Sequence, residues 1–143
     1  MKKLYFTLFI LLPLLYSCKD NCGGIDCLSV DAFAFTIRSN STGEDLLFSN
    51  NAQLGQDDVE IYFMQNGTKQ PAQVRYMTDH VQVAIIPEIT TYYVTALGQT
   101  DTLNLAISRT NSSGCCPSTT LVKQITVNNQ NVPVDYRTII LTR

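Results

Sequence analysis

The chain has 143 residues, ten basic and twelve acidic, with a formal net charge of −2, one His and no Trp. That length suits a single domain of ordinary size and excludes a large multidomain enzyme. A mildly acidic chain without a Lys and Arg cluster is also unsuited to nucleic acid, because phosphate binding needs concentrated positive charge.

The chain opens with Lys2 and Lys3, followed by the apolar stretch Leu4 to Leu15. A helix needs about 20 residues to cross a bilayer, so this stretch is too short to span. It suits the apolar region of a secretory signal. The segment ends Leu15-Tyr16-Ser17-Cys18. It resembles the lipobox of bacterial lipoproteins: an aliphatic residue, a variable one, a small one, then Cys. The resemblance implies that residues 1–17 are a removable signal peptide and that Cys18 is lipidated as the new N-terminus. Without Lys2 and Lys3 the remaining 126 residues carry a net charge of −4. Each buried methylene of an acyl chain contributes about 0.8 kcal/mol, so multiple acylation anchors stably. The next residues are Lys19, Asp20 and Asn21. In the lipoprotein family, a second residue other than Asp implies sorting to the outer membrane. Lys followed by an acid also resembles, in part, the surface-export signal of Bacteroidota lipoproteins. The expected location is the outer membrane, exposed at the cell surface, with the periplasmic face as the alternative.

Four further cysteines follow: Cys22, Cys27, Cys115 and Cys116. An even number in an exported chain points to disulfides, and four allow three pairings. One pairing makes Cys115–Cys116 a vicinal bridge. Adjacent Cα atoms lie about 3.8 Å apart, short of the roughly 4.4–6.8 Å that disulfides prefer. The two crossed pairings avoid that strain and would close loops of roughly 90 residues, tying the N-terminal segment to the loop near 115. Four thiolates could also hold zinc, but a C-x₄-C followed by a bare pair matches no common zinc pattern. Structural bridges are expected, with no metal and no cofactor.

Residues 18–29, with Gly23-Gly24, read as a lipidated tether, and 30–143 as one domain. Phe33, Phe35 and Ile37 alternate with smaller residues, the pattern of a half-buried strand. Ser39 to Gly43 is a turn cluster. Asp45 to Phe48 is a short strand or one helical turn, and Asn50 to Gln56 a loop. Val59, Ile61 and Phe63 alternate next, then Asn66-Gly67 gives a strong hairpin signal. Val74 and Tyr76 follow Pro71. His80 to Ile86 is a strand stopped by Pro87. Thr91 to Leu97 is aromatic and β-branched, as strands are. Leu103, Leu105 and Ile107 mark another strand, and Asn111 to Ser118 a polar loop. Leu121 to Val127 is a strand, Asn128 to Asn131 a turn, and Tyr136 to Thr142 the last strand. About eight short strands without a long helical period predict an all-β, antiparallel sandwich of the immunoglobulin-like class. A small β-barrel is the alternative.

Catalytic constellations are thin. Ser/His/Asp chemistry would need His80, beside Asp79, as its base, and no Gly-x-Ser-x-Gly elbow exists. Glu44, Glu60 and Glu88 supply carboxylates for glycoside hydrolysis, but a small sandwich leaves little room for a deep cleft. Asp57, Asp58 and Glu60 could offer oxygens to calcium, without EF-hand spacing. Tyr is the better binding signal, because its ring can anchor a contact while its hydroxyl stays wet. Tyr62, Tyr76, Tyr92 and Tyr93 form a possible binding face, with Tyr136 a further Tyr of the same kind. Alternation sets Tyr92 and Tyr93 on opposite faces. Asp101-Thr102-Leu103 resembles the Bacteroidota O-glycosylation sequon, which implies possible modification at Thr102. Asn40-Ser41-Thr42, Asn66-Gly67-Thr68 and Asn111-Ser112-Ser113 read as turns.

Gly43-Glu44-Asp45-Leu46-Leu47, Asp101-Thr102-Leu103 and Cys115-Cys116, together with the lipobox, resemble small cell-surface lipoproteins of Bacteroidota. That resemblance implies no activity. The expected function is a non-enzymatic, lipid-anchored binding or accessory role in the cell envelope. The membrane would be reached through the N-terminal lipid, and the ligand would be a protein or a glycan. The alternative is a small hydrolase, or a protease inhibitor presenting the Cys-pinned loop 111–118.

Overall fold

A computed structural model of the chain describes residues 32–109, 118–132 and 138–143. The signal, the tether, Val30, Tyr136 and all five cysteines lie outside them, as does the 111–118 loop apart from Ser118. Every described residue except Ser118 belongs to one compact unit.

Ten strands run in chain order: β1 (Ala32–Arg38), β2 (Glu60–Gln65), β3 (Thr68–Pro71), β4 (Val74–Tyr76), β5 (Val81–Ala84), β6 (Thr91–Ala96), β7 (Gln99–Arg109), β8 (Thr120–Val127), β9 (Gln130–Val132) and β10 (Ile139–Thr142). They form two sheets, one of four strands in the order β10-β1-β5-β4 and one of six in the order β3-β2-β6-β7-β8-β9. The architecture is the all-β sandwich that the period-two pattern predicts, and the strands do not close into a barrel.

Five details differ from the sequence reading. The described residues hold ten strands where about eight are expected. The stretch after Asn66-Gly67 divides between the sheets, β3 pairing with β2 and β4 with β5. The turn read over 128–131 occupies only Asn128 and Asn129, after which β9 pairs back on β8. The sandwich is also not wholly antiparallel, because β10 lies parallel to β1 in the register Phe35 to Ile139 and Arg38 to Thr142. Asp45 to Phe48 is neither strand nor helix. It is a turn joined to β1 by a single bridge from Asp45 to Arg38.

Local chemistry explains the hairpins. Tight two-residue turns that match strand twist need positive φ at both central positions. Asn66-Gly67, Leu97-Gly98 and Asn128-Asn129 all have it. Leu97 adopts φ 51° although it is neither Gly nor Asn, and it is 56% exposed. In β7 and β8 the register slips between Ala106 and Ile107, leaving Lys123 as the extra residue of a bulge.

Alternate residues of both sheets face each other. Phe33, Phe35, Ile37, Val81, Val83, Ile139 and Leu141 come from the four-stranded sheet. Ile61, Phe63, Tyr92, Val94, Leu103, Leu105 and Ile125 come from the six-stranded one. Full burial of such a side chain contributes about 1.5–3 kcal/mol. Tyr92 is the centre of this layer. Its ring meets Phe33 edge-on at 5.3 Å and Phe63 at 5.9 Å. A buried phenol needs partners, and the Tyr92 hydroxyl has two across the sandwich. It accepts from the Ile86 N–H at 2.9 Å and donates to the Ala84 carbonyl at 3.4 Å.

Burial pushes the Tyr92 phenol above its ordinary value of 10.0, an effect that the bond from Ile86 opposes in part. The unfolded phenol therefore ionises first as pH rises. Its contribution to stability is complete below pH 10 and is lost as pH climbs through the folded value. Tyr92→Phe should cost about 1–2 kcal/mol at neutral pH, because the Ile86 N–H loses its acceptor. The same variant should lose less stability than the wild type between neutral and strongly alkaline pH. Urea denaturation at the two pH values measures both effects; equal alkaline losses would contradict the assignment.

Candidate functional site

Register decides which of the four Tyr share a surface. Tyr62 in β2 stands opposite Tyr93 in β6, Tyr93 opposite Thr102 in β7, and Tyr62 opposite Pro71 in β3. These residues make one row across the outer face of the six-stranded sheet. The two rings stack with centroids 5.1 Å apart and planes 16° apart. On the other side, the Lys69 ammonium sits 3.9 Å from the Tyr62 ring centre. A cation over a ring face is attracted by its quadrupole. Lys69 also pairs with Glu60 at 2.6 Å, which fixes its position. Met64, 45% exposed, lies opposite Lys69 on the same face. Beyond the Lys69–Glu60 pair, this face carries polar side chains that hydrogen-bond one another. Thr91 bonds Asn104, Thr95 bonds Thr100, and Gln124 bonds Asn131.

The other two Tyr do not belong to this face, which corrects the four-residue grouping. Tyr92 is fully buried, as alternation with Tyr93 requires. Tyr76 lies in β4, at an edge of the four-stranded sheet, and its hydroxyl donates to the Gln56 carbonyl at 3.0 Å. Burial, then the charge of Asp57, raises the Tyr76 phenol above its ordinary value.

The same alternation splits Asp101-Thr102-Leu103. Thr102 is half-buried in the row beside Tyr93, whereas Asp101 and Leu103 point inward. Asp101 is engaged there. Its Oδ1 accepts from Asn128 Nδ2 at 2.7 Å, and its Oδ2 lies 2.6 Å from Arg143 Nη2. The latter is a contact of charges rather than a well-angled hydrogen bond. Both atoms are buried and neither has another partner among the described residues. The Asp of the glycosylation-like triplet is thus part of the core, while its Thr is not.

Three of the carboxylates considered for catalysis or calcium have structural partners. Asp58 accepts from the Gly55 N–H at 2.7 Å, Glu60 holds Lys69, and Glu88 pairs with Arg109 at 2.7 Å. Among the described residues no three His, Cys, Asp or Glu side chains converge. His80 meets Asp79 through Nδ1 at 2.7 Å, in the turn before β5.

Sequence reasoning missed a second surface. A groove of about 460 Å³ lies on the outer face of the four-stranded sheet. Its floor is Thr36 of β1 and Ile140 of β10; its walls come from the turn after β1, the β4–β5 turn and Thr138. Asp45 builds the first wall. Its Oδ1 accepts from the Leu47 and Phe48 N–H groups at 2.8 and 2.7 Å, and its Oδ2 accepts from the Thr36 hydroxyl. Leu46 anchors the turn further, buried and bonded through its N–H to the Ile37 carbonyl. Phe48 is thereby held beside the outer face. An Asp followed two and three residues later by N–H donors is a legible turn signal. Nothing local tells where that turn folds back.

Compared with known proteins, the chain matches no family model, no curated protein and no solved structure.

Asp45→Ala should remove three hydrogen bonds to a carboxylate and leave the buried Thr36 hydroxyl unpaired. The expected loss is at least about 1.5–3 kcal/mol in denaturant melts, with raised hydrogen exchange at Leu47 and Phe48. Unchanged exchange there would mean that Asp45 does not hold the turn.

Proposed function

We propose that this protein is a lipid-anchored binding subunit of the bacterial cell envelope. Cys18 carries the lipid at the outer membrane, residues 18–29 give reach, and the sandwich presents a contact surface at the cell exterior. The mechanism is presentation, without turnover. The stacked Tyr62–Tyr93 pair on an open sheet face is the observation that supports this reading.

The geometry of that pair favours a protein over a flat-lying sugar. Tyr93 covers one face of Tyr62 and the Lys69 ammonium the other. A pyranose has no free face on Tyr62 to stack against. What remains outward are ring edges and hydroxyls, the adaptable Met64, and a surround of Thr, Asn and Gln. An aromatic and Met centre within a polar rim is the composition of protein interfaces. The stack is already fixed in the free protein, so little side-chain freedom is lost on binding. The crossed disulfide pairings would add rigidity at the root of the tether. Neither a hydrolase nor an inhibitor draws support from the described residues: His80 contacts Asp79, and the 111–118 loop lies outside them apart from Ser118.

Crosslinking on intact cells, followed by pull-down and mass spectrometry, tests the reading. Wild-type protein should recover a reproducible partner. Tyr93→Ala should lose it, since truncating an interface anchor typically costs about 2 kcal/mol or more. The same recovery from Tyr93→Ala and Tyr62→Ala would remove the contact surface from consideration. Separately, Cys18→Ala should leave the membrane fraction; its retention there would refute the lipid anchor.

A further inference from the structure

The groove on the four-stranded sheet contains polar groups that the fold does not use. Asp45 is fully committed to its own turn and to Thr36. Arg38, by contrast, lines the groove and has no ion-pair partner among the described residues. Ser49, Thr78 and Thr138 line the same space, and their hydroxyls make no hydrogen bond among the described residues. Asp79 gives one oxygen to His80, and its other oxygen has no partner among the described residues. Phe48 and Ile140 add apolar surface, Ile140 being 50% exposed.

Charge then selects the ligand. Of the residues that line the groove, Arg38 contributes one positive charge and Asp45 and Asp79 two negative ones, a sum of −1. An anion would enter a net negative site. A cation would find one free carboxylate oxygen, with a guanidinium among the lining groups. A neutral polyol matches the groove in both respects. Its hydroxyls can donate to Asp79 and accept from Arg38, and they can do both with Ser and Thr. A pyranose adds an apolar C–H face for Phe48. The volume lies in the lower part of the roughly 300–1,000 Å³ range of small-molecule sites, enough for one ring and its substituents.

We infer that this groove binds a single neutral pyranose unit of a glycan, held by Arg38, Asp79 and the hydroxyls of Ser49, Thr78 and Thr138 against Phe48. This site lies on a different sheet from the Tyr62–Tyr93 row. It depends neither on that row nor on the lipid anchor, so either assignment can fail alone.

The test uses the full chain in a zwitterionic, sugar-free detergent. The probes are the methyl pyranosides of glucose, galactose, mannose and fucose, with methyl glucuronide as the anionic comparison. Saturation-transfer NMR reads binding. At least one neutral glycoside should receive transfer, strongest at the protons of one ring face, and should outbind the glucuronide. Arg38→Met should weaken that binding about tenfold or more, because charge-assisted hydrogen bonds are the strong ones. Thr78→Val should weaken it less, and Lys123→Ala on the other sheet should leave it unchanged. Arg38 and Thr78 are exposed, so both variants keep the fold, which a thermal melt verifies. No transfer to any neutral glycoside would overturn the proposal. So would a preference for the glucuronide, or wild-type binding by both groove variants.

Discussion

A buried ion pair between Asp101 and Arg143 fixes the end of the sandwich on which the rest of the structure depends. Among the described residues β10 is an edge strand of four residues that pairs with β1 alone. Arg143 takes it across to the other sheet. Its side chain is 3% exposed, its Nε donates to the Ala96 carbonyl at the end of β6, and its Nη2 meets Asp101 in β7. Its backbone N–H donates to the Arg38 carbonyl, and its carbonyl accepts from the Asn40 N–H. One residue thus joins both sheets and closes the β1 end. Asn128 completes the arrangement, donating to Asp101 through Nδ2 and accepting from the Thr102 N–H through Oδ1 at 2.9 Å. A buried pair of this kind gains little over an apolar pair of equal volume, but removing one partner strands a charge and costs about 3–5 kcal/mol. Its role is to specify one placement of β10.

That placement has consequences for both surfaces. Ile140 and Thr138 line the groove, so its shape follows from where β10 is held. Asp101 lies inward next to Thr102, the last member of the Tyr62–Tyr93 row, and Asn128 braces that strand from the adjoining turn. The two faces differ in kind. One is a flat face whose aromatic centre is already stacked and capped by Lys69. The other is a concave polar site with unengaged donors and acceptors. The period of two keeps them apart from the core: Tyr93 faces out because Tyr92 faces in, and Thr102 because Asp101 does.

Much of the fold is legible in the sequence because strand alternation is a local signal. Phe33-x-Phe35-x-Ile37, Val59-x-Ile61-x-Phe63 and Leu103-x-Leu105-x-Ile107 each mark a face, and Asn66-Gly67 marks a hairpin. The failures are non-local or depend on very short elements. Thr68-Lys69-Gln70-Pro71 has no apolar alternation, yet β2 recruits it as an edge strand through the hairpin. The parallel pairing of β10 with β1 joins residues about a hundred positions apart, and no local pattern encodes it. The role of Arg143 was equally hidden, since a terminal Arg reads as solvated until its neighbours are known. Of the candidate sites, the Tyr62–Tyr93 face is visible in the sequence as residue types, although residue type alone also groups Tyr76 and Tyr92 with it. The groove was not visible, because Arg38, Phe48, Thr78 and Thr138 come from four separate segments and none is unusual alone.

The most direct test of this account is a double-mutant cycle on Asp101→Leu and Arg143→Met, with stability from urea denaturation at neutral pH. Each single substitution should cost about 3–5 kcal/mol, and the double variant should cost no more than the worse single, because no stranded charge remains. Additive losses would contradict it, showing that the two residues stabilise the sandwich independently and that their pairing does not hold β10 in place.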